Sequence, residues 1–278
     1  MTSTFGERLS RSIGKYGPLC VGIDPSPRLL ADWGLPLRDF SFTVLEAARG
    51  VAGIVKPQIA FFERYGGRGL LVLEELCTAA IEQGFVVILD AKRGDIGSTN
   101  EAYASAYLST DSPFAIDAIT LSPYLGVTSM LPLLDAADQS GRGVFVLART
   151  SNPGGEDVQC ATSATGQTVA QDLLDAMSRR NAEAARRGVL GSAGVVFGAT
   201  VPTDGHDLRA MNGPILAPGL GAQGATPADL AKRFAGCGDR VVVTVSRAVL
   251  EAGPDPASLA KRIRLLSDEC REALEHVA

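Results

Sequence analysis

Around residue 90 the chain reads FVVILDAKRGDIGSTN, where an apolar run leads straight into four charged residues. Asp90 and Lys92 stand two apart at the end of a strand-like run, so on an extended backbone their side chains leave the same face. Gly94 is read as permitting a turn that aims Asp95 separately. Lys56 closes an earlier apolar run, AGIVK; on a neighbouring strand it would complete a Lys-Asp-Lys-Asp array of Lys56, Asp90, Lys92 and Asp95. A fixed ammonium between carboxylates can stabilise developing negative charge and deliver a proton. The plainer reading, a solvated charge run, loses ground if the run ends a barrel strand, where function concentrates.

Other chemistries find little support. Only two histidines exist, His206 and His276, neither near the other polar clusters, which argues against a histidine base or a His-rich metal site. The five cysteines (Cys20, Cys77, Cys160, Cys237, Cys270) include no C-x-x-C pair and read as reduced thiols. No G-x-S-x-G elbow is present, so acyl transfer is disfavoured. A net charge of −5 argues against nucleic-acid binding, while leaving room for a small anion held by a few local cations. The absence of an apolar signal core or an eighteen-residue apolar run leads to the expectation of a cytoplasmic protein with no membrane contact.

The elements that must position these residues alternate. Short runs rich in Val, Ile and Leu occur at 18–24, 52–56, 85–92, 115–122, 143–150, 194–200, 214–218 and 240–246, separated by segments of helical period such as LLVLEELCTAAIEQG and GQTVAQDLLDAMSRRNAEAARRG. Near-continuous apolar character fits strands covered on both faces. Eight βα units in 278 residues predict one α/β domain over 1–278, a (β/α)8 TIM-type barrel, with an open doubly wound sheet as the alternative. Function is then expected at the C-terminal strand ends, which deliver Asp24, Lys56, the 90–95 cluster, Ser122, Ser151, Thr200, Gln223 and Arg247.

APGLGAQG places Gly219, Gly221 and Gly224 in a literal G-x-G-x-x-G, with Asp239 downstream. A dinucleotide site is disfavoured because Asp239 precedes its strand instead of ending it; a phosphate loop on strand seven is the better reading. Tyr103 and Tyr107, one helical turn apart, are read as helix packing or subunit surface.

V-K-P-Q followed by D-x-K-x-x-D-I resembles the orotidine 5'-phosphate decarboxylase family. CVGIDP, IVKPQIAFFE, ILDAKRGDIGSTN, TLSPYLG, ARTSNPG, APGLGAQGA and VSRAV match family segments in order, and D-A-K-R-G-D-I resembles one bacterial branch. The resemblance implies a cofactor-free, metal-free decarboxylation of orotidine 5'-phosphate to UMP and CO2, the last step of de novo pyrimidine nucleotide synthesis, by a homodimer. It implies Lys92 as the acid that protonates C6, with Asp90 and Lys56 holding it, and Asp95 with Ile96 reaching the partner's site. Asp24 and Lys56 would bind the ribose hydroxyls, Thr99 would contact across the dimer, Ser151 would meet the pyrimidine amide edge, and Gln223 and Arg247 would grip the phosphate. Ser122 is carried as a further substrate-binding candidate. Two competitors are a Mg2+-dependent sister enzyme acting on a sugar phosphate and a non-catalytic nucleotide-binding protein on the same scaffold.

Overall fold

The computed structural model describes residues 3–203, 205–221 and 224–275. Its strands are β1 (Leu19–Ile23), β2 (Ile54–Pro57), β3 (Val86–Arg93), β4 (Ala118–Leu121), β5 (Gly143–Arg149), β6 (Ala193–Phe197), β7 (Ile215–Pro218) and β8 (Val241–Val245). Each pairs in parallel with the next, and β8 returns to β1 through Cys20 opposite Thr244. That closing pair decides between the two expected architectures: the sheet is a closed barrel, with helices between successive strands.

The pleat sorts residues into two cores. Outward-facing residues such as Val21, Val55, Val87 and Leu89 are buried under the helices. Inward-facing Cys20, Ile54, Ile88, Phe145, Leu216 and Val242 form a separate cluster with Phe5 and Leu9 of the first helix, Phe5–Tyr16. That helix stoppers the N-terminal end of the barrel. Thr4 and Glu7 cap it reciprocally, and Phe5 meets Phe145 edge-on at a centroid distance of 5.9 Å. Gly143 is required there, since a Cβ would lie 2.0 Å from the Phe5 ring. Burying Phe5 in this way contributes about 2–3 kcal/mol.

Two details depart from the sequence expectations. β4 begins only at Ala118; Asp117 before it still bonds both neighbouring strands through its backbone, N–H to Val87 C=O (2.9 Å) and C=O from Gly143 N–H (2.8 Å), while its side chain accepts from Arg8 (2.9 Å) and from the Val87 N–H (2.9 Å). The helical stretch after β5 is split into Val169–Arg180 and Ala182–Arg186. Buried Asn181 sits at the break, where its amide bonds Ala193 N–H, Ala193 C=O and Met211 C=O and ties the helices to β6.

Above the apolar plug, the same inward face turns polar. Lys56 follows Ile54 by one pleat repeat, Asp90 follows Ile88, Thr120 follows Ala118, and Thr244 follows Val242. The barrel is therefore apolar at its base and charged at its C-terminal mouth, with the charge gathered on β1 to β3.

Candidate active site

A cavity of about 630 Å³ opens at the C-terminal mouth of the barrel. Asp24, Lys56, Gln58, Asp90, Lys92 and Thr120 form its charged wall, while Leu147, Val196, Leu216 and Leu220 form the opposite apolar one.

Asp90 is the hub. Its Oδ2 accepts from Lys56 Nζ at 3.0 Å and from Gln58 Nε2 at 2.9 Å. Its Oδ1 accepts from Lys92 Nζ at 2.5 Å and from the Thr120 hydroxyl at 3.0 Å. Four donors occupy the roughly four lone-pair directions a carboxylate offers. Burial alone would push the Asp90 carboxyl up, but the Lys56 and Lys92 ammoniums outweigh it and hold the group far below the usual carboxylate range. Lys56, only 5% exposed, is desolvated, yet Asp90 and Asp24 raise its pKa above the ordinary lysine value and keep it charged. The Lys92 side chain, by contrast, is 46% exposed and reaches into the cavity.

Lys92 has φ +48° at a point where the β3–β4 register shifts. The strand is thus bulged at the residue that carries the exposed ammonium, an arrangement that re-aims a side chain next to a site.

The remaining expected residues divide into two groups. Asp24, Ser151, Thr200 and Arg247 line the cavity together with the lysines and Asp90. Asp24 Oδ1 is buried with no hydrogen-bond partner among the described residues, an acceptor suited to a hydroxyl. Ser151 lies on the loop after β5, which is braced by Gln159: its Oε1 accepts from Thr150 N–H (2.9 Å) and its Nε2 donates to the Thr150 hydroxyl (2.7 Å). Arg247 opens the short helix Arg247–Leu250 after β8, on the cavity rim with Gly219. Gln223 lies outside the described residues. The glycine loop folds back on itself through Gly221 N–H to Ala225 C=O (2.9 Å) and Ala225 N–H to Gly219 C=O (3.2 Å). Asp239 sits in a turn before β8, at the opposite end of that strand from the mouth.

Asp95, Ile96, Thr99 and Ser122 do not line this cavity. Asp95 accepts from Ile96 N–H at 2.8 Å, and its backbone is clamped by Asn100, which also donates to Ser129 C=O at 2.6 Å. The clamp brings the Ile96 loop beside the loop after β4, where Ile96 (62% exposed), Tyr124 (81%) and Leu125 (51%) stay uncovered. Ser122 donates its N–H to Arg93 C=O at 2.8 Å, and its own carbonyl presses on Gly94. The role expected for Gly94 is thereby corrected. It has no left-handed φ; a Cβ at 94 would lie 2.4 Å from the Ser122 oxygen, so close approach is what demands glycine.

Tyr103 and Tyr107 pack as expected, with the Arg93 guanidinium 5.7 Å and 6.0 Å from their ring centroids. His206 packs edge-on against Phe197 away from the cavity, and His276 lies outside the described residues. Gln58, Thr120 and Gln159 escaped the sequence reading. Gln58 had a usable signal, standing one pleat repeat beyond Lys56, whereas Thr120 needed the β3–β4 register and Gln159 the path of a loop.

Comparison with known proteins places the whole chain. The model of the orotidine 5'-phosphate decarboxylase / HUMPS family matches residues 17–263. An orotidine 5'-phosphate decarboxylase of Salinispora arenicola is 54% identical over 277 residues, 98% of each chain, and one of Streptomyces coelicolor is 49% identical over 276 residues, covering 97% of this chain and 98% of its own. A solved structure from Streptomyces avermitilis superposes with a TM-score of 0.94 at 49% identity, covering 99% of this chain and 97% of that one. The Leishmania donovani OMP decarboxylase does so at 0.73 and 28% identity, with coverage of 97% and 99%. With a closed parallel barrel, a charged mouth and whole-length kinship all in agreement, the chain belongs to the orotidine 5'-phosphate decarboxylase / HUMPS family.

Proposed function

We propose that the Lys56-Asp90-Lys92 array at the barrel mouth carries the decarboxylation of orotidine 5'-phosphate to UMP and CO2, a step of pyrimidine synthesis. The observation that carries this reading is one buried carboxylate charge-paired to two ammoniums at the cavity wall, Lys56 nearly buried and Lys92 46% exposed to the cavity. When the C6–carboxylate bond breaks, its electron pair stays in the plane of the ring on C6, where no conjugated sink can take it. Stabilisation must then come from preorganised charge. Lys92 supplies that charge and transfers a proton from Nζ to C6, ending neutral and regaining its proton from solvent. The leaving carboxylate meets Asp90 and an Asp95 contributed across the dimer, and like charges about 4 Å apart cost roughly 4 kcal/mol at an effective dielectric of 20. Loss of CO2 relieves that repulsion.

The rest of the nucleotide is held at a distance from the reacting carbon. Asp24 and Lys56 take the ribose hydroxyls, Ser151 the pyrimidine amide edge, and Arg247 with Gln223 and the glycine loop the phosphate, whose binding energy helps enforce the reactive geometry. Arg247→Ala is expected to raise KM about 100-fold or more, since it removes a charge-assisted phosphate contact. An unchanged KM in steady-state assays would exclude the role.

Asp95 and Thr99 act across a homodimer in this reading, supported by the exposed Ile96, Tyr124 and Leu125 beside them. Mixing inactive Lys92→Ala and Asp95→Ala subunits should regenerate about one quarter of the wild-type sites, because half of a random mixture of twofold dimers is hybrid and each hybrid holds one intact site. No recovery would place Asp95 in its own subunit's chemistry or in none.

The experiment for the function as a whole is the loss of orotidine 5'-phosphate absorbance with purified protein in excess EDTA. Rapid loss supports decarboxylation by the residues named here, and the saturation of Asp90 by four donors, which leaves it no lone pair for a cation, points the same way. No loss of orotidine 5'-phosphate, with Mg2+-dependent turnover of a sugar phosphate in its place, would move the assignment to the sister reaction.

A further inference from the structure

Along the β3–β4 seam, Leu89 pairs with Ile119 and the next pair is Arg93 with Leu121, so four steps on β3 span two on β4. The slack is absorbed by residues 90–92, and Lys92 takes it up at φ +48°, a region where a residue with a Cβ is strained. Strain of this kind persists only where surrounding contacts over-determine it. The backbone N–H groups of Ala91 and Lys92 leave the ladder at this point and need other acceptors.

One atom supplies them. The Thr120 hydroxyl oxygen accepts from Ala91 N–H at 3.0 Å and from Lys92 N–H at 2.9 Å. With both lone pairs taken, its single O–H remains, and it donates to Asp90 Oδ1 at 3.0 Å. The same Asp90 oxygen receives the Lys92 ammonium. Lys92 is therefore held at both ends through one oxygen, at its backbone directly and at its Nζ by way of Asp90. Thr120 is 1% exposed and β-branched, so its rotamer is stiff and water has little access to replace it.

We propose that Thr120 is a positioning residue for the decarboxylation, acting through Lys92 by fixing the β3 bulge and the Asp90 carboxylate. The inference rests on Lys92 and Asp90 carrying the reaction. Thr120→Val keeps the side-chain shape, strips two backbone N–H groups, one of them buried, of their acceptor and removes one donor from Asp90. It is expected to lower kcat about 100-fold, the scale of a misplacement near 1 Å, with KM and UMP affinity within about threefold of wild type. Thr120→Ser, which keeps the oxygen, should recover kcat to within about fivefold. Should the valine variant not fold, Thr120→Ala carries the same comparison. Three outcomes would overturn the proposal: kcat near wild type without the hydroxyl, parallel losses in kcat and UMP affinity, or a serine variant no better than the valine one. Lys92→Ala assayed alongside separates the two readings. If it retains turnover, the assignment of Lys92 fails, whereas an inactive Lys92→Ala beside an active Thr120→Val defeats the positioning role alone.

Discussion

Lys92→Ala is expected to lower kcat by about 10⁴-fold or more while UMP affinity stays within about tenfold of wild type. General acid catalysis accounts for about 10²–10⁴ of this, and loss of a preorganised charge at a developing anion for a further 10²–10³. Together these correspond to at least about 5 kcal/mol of transition-state stabilisation. The fold should tolerate the change. Alanine keeps the Cβ, so the cost of φ +48° is unaltered, and Asp90 retains Lys56, Gln58 and Thr120 as donors. Single-turnover measurements with a parallel UMP titration check the prediction. Turnover within tenfold of wild type would remove Lys92 from the chemistry.

Asp90→Asn is expected to lose turnover and also to destabilise the fold by about 3–5 kcal/mol, the usual cost of stranding one member of a buried ion pair. Whichever way the amide is turned, its NH2 group faces donors: Lys56 and Gln58 on one side, Lys92 and Thr120 on the other. Lys56 cannot escape to water and is left with Asp24 as the acidic group attracting it. Calorimetry should show a melting temperature lower by roughly 5–9 °C, from an unfolding entropy of about 2.1 cal/mol/K per residue. Adding Lys56→Met should recover part of that loss, since it removes the stranded charge. A melting temperature within about 1 °C of wild type would contradict the burial argument.

The same pair has a pH signature. Asp90 is held ionised below its ordinary value of 3.8, so its contribution is complete above that pH and declines as acid carries the solution below it. Lys56 is held protonated above its ordinary 10.5, so its contribution is complete below that pH and declines as alkali rises past it.

The barrel and its three central residues were legible because both rest on short-range periodicity. Continuous apolar runs identified all eight strands, and the two-residue repeat predicted Asp90 and Lys92 on one side, where their side chains do meet although the strand is bulged at Lys92. The features that escaped depend on long-range register. Thr120 matters because β3 is bulged against β4, and no local pattern announces a bulge at Ala91-Lys92. Gly94 was credited with a turn because the carbonyl of Ser122 that crowds it is remote in sequence. The stretch FGERLSRSIGKY was unremarkable until the barrel closed around Phe5. Asn181 broke an otherwise good helix for the sake of carbonyls on β6 and after it.

The stopper formed by Phe5 and Leu9 gives this enzyme a blind end. A through-channel would let gas, nucleotide and solvent protons use separate doors. Here the base is sealed with aromatic and aliphatic packing, and all traffic shares one mouth. In the proposed reaction CO2 would leave, and the proton that restores Lys92 would enter, through the one mouth onto which Lys92 opens.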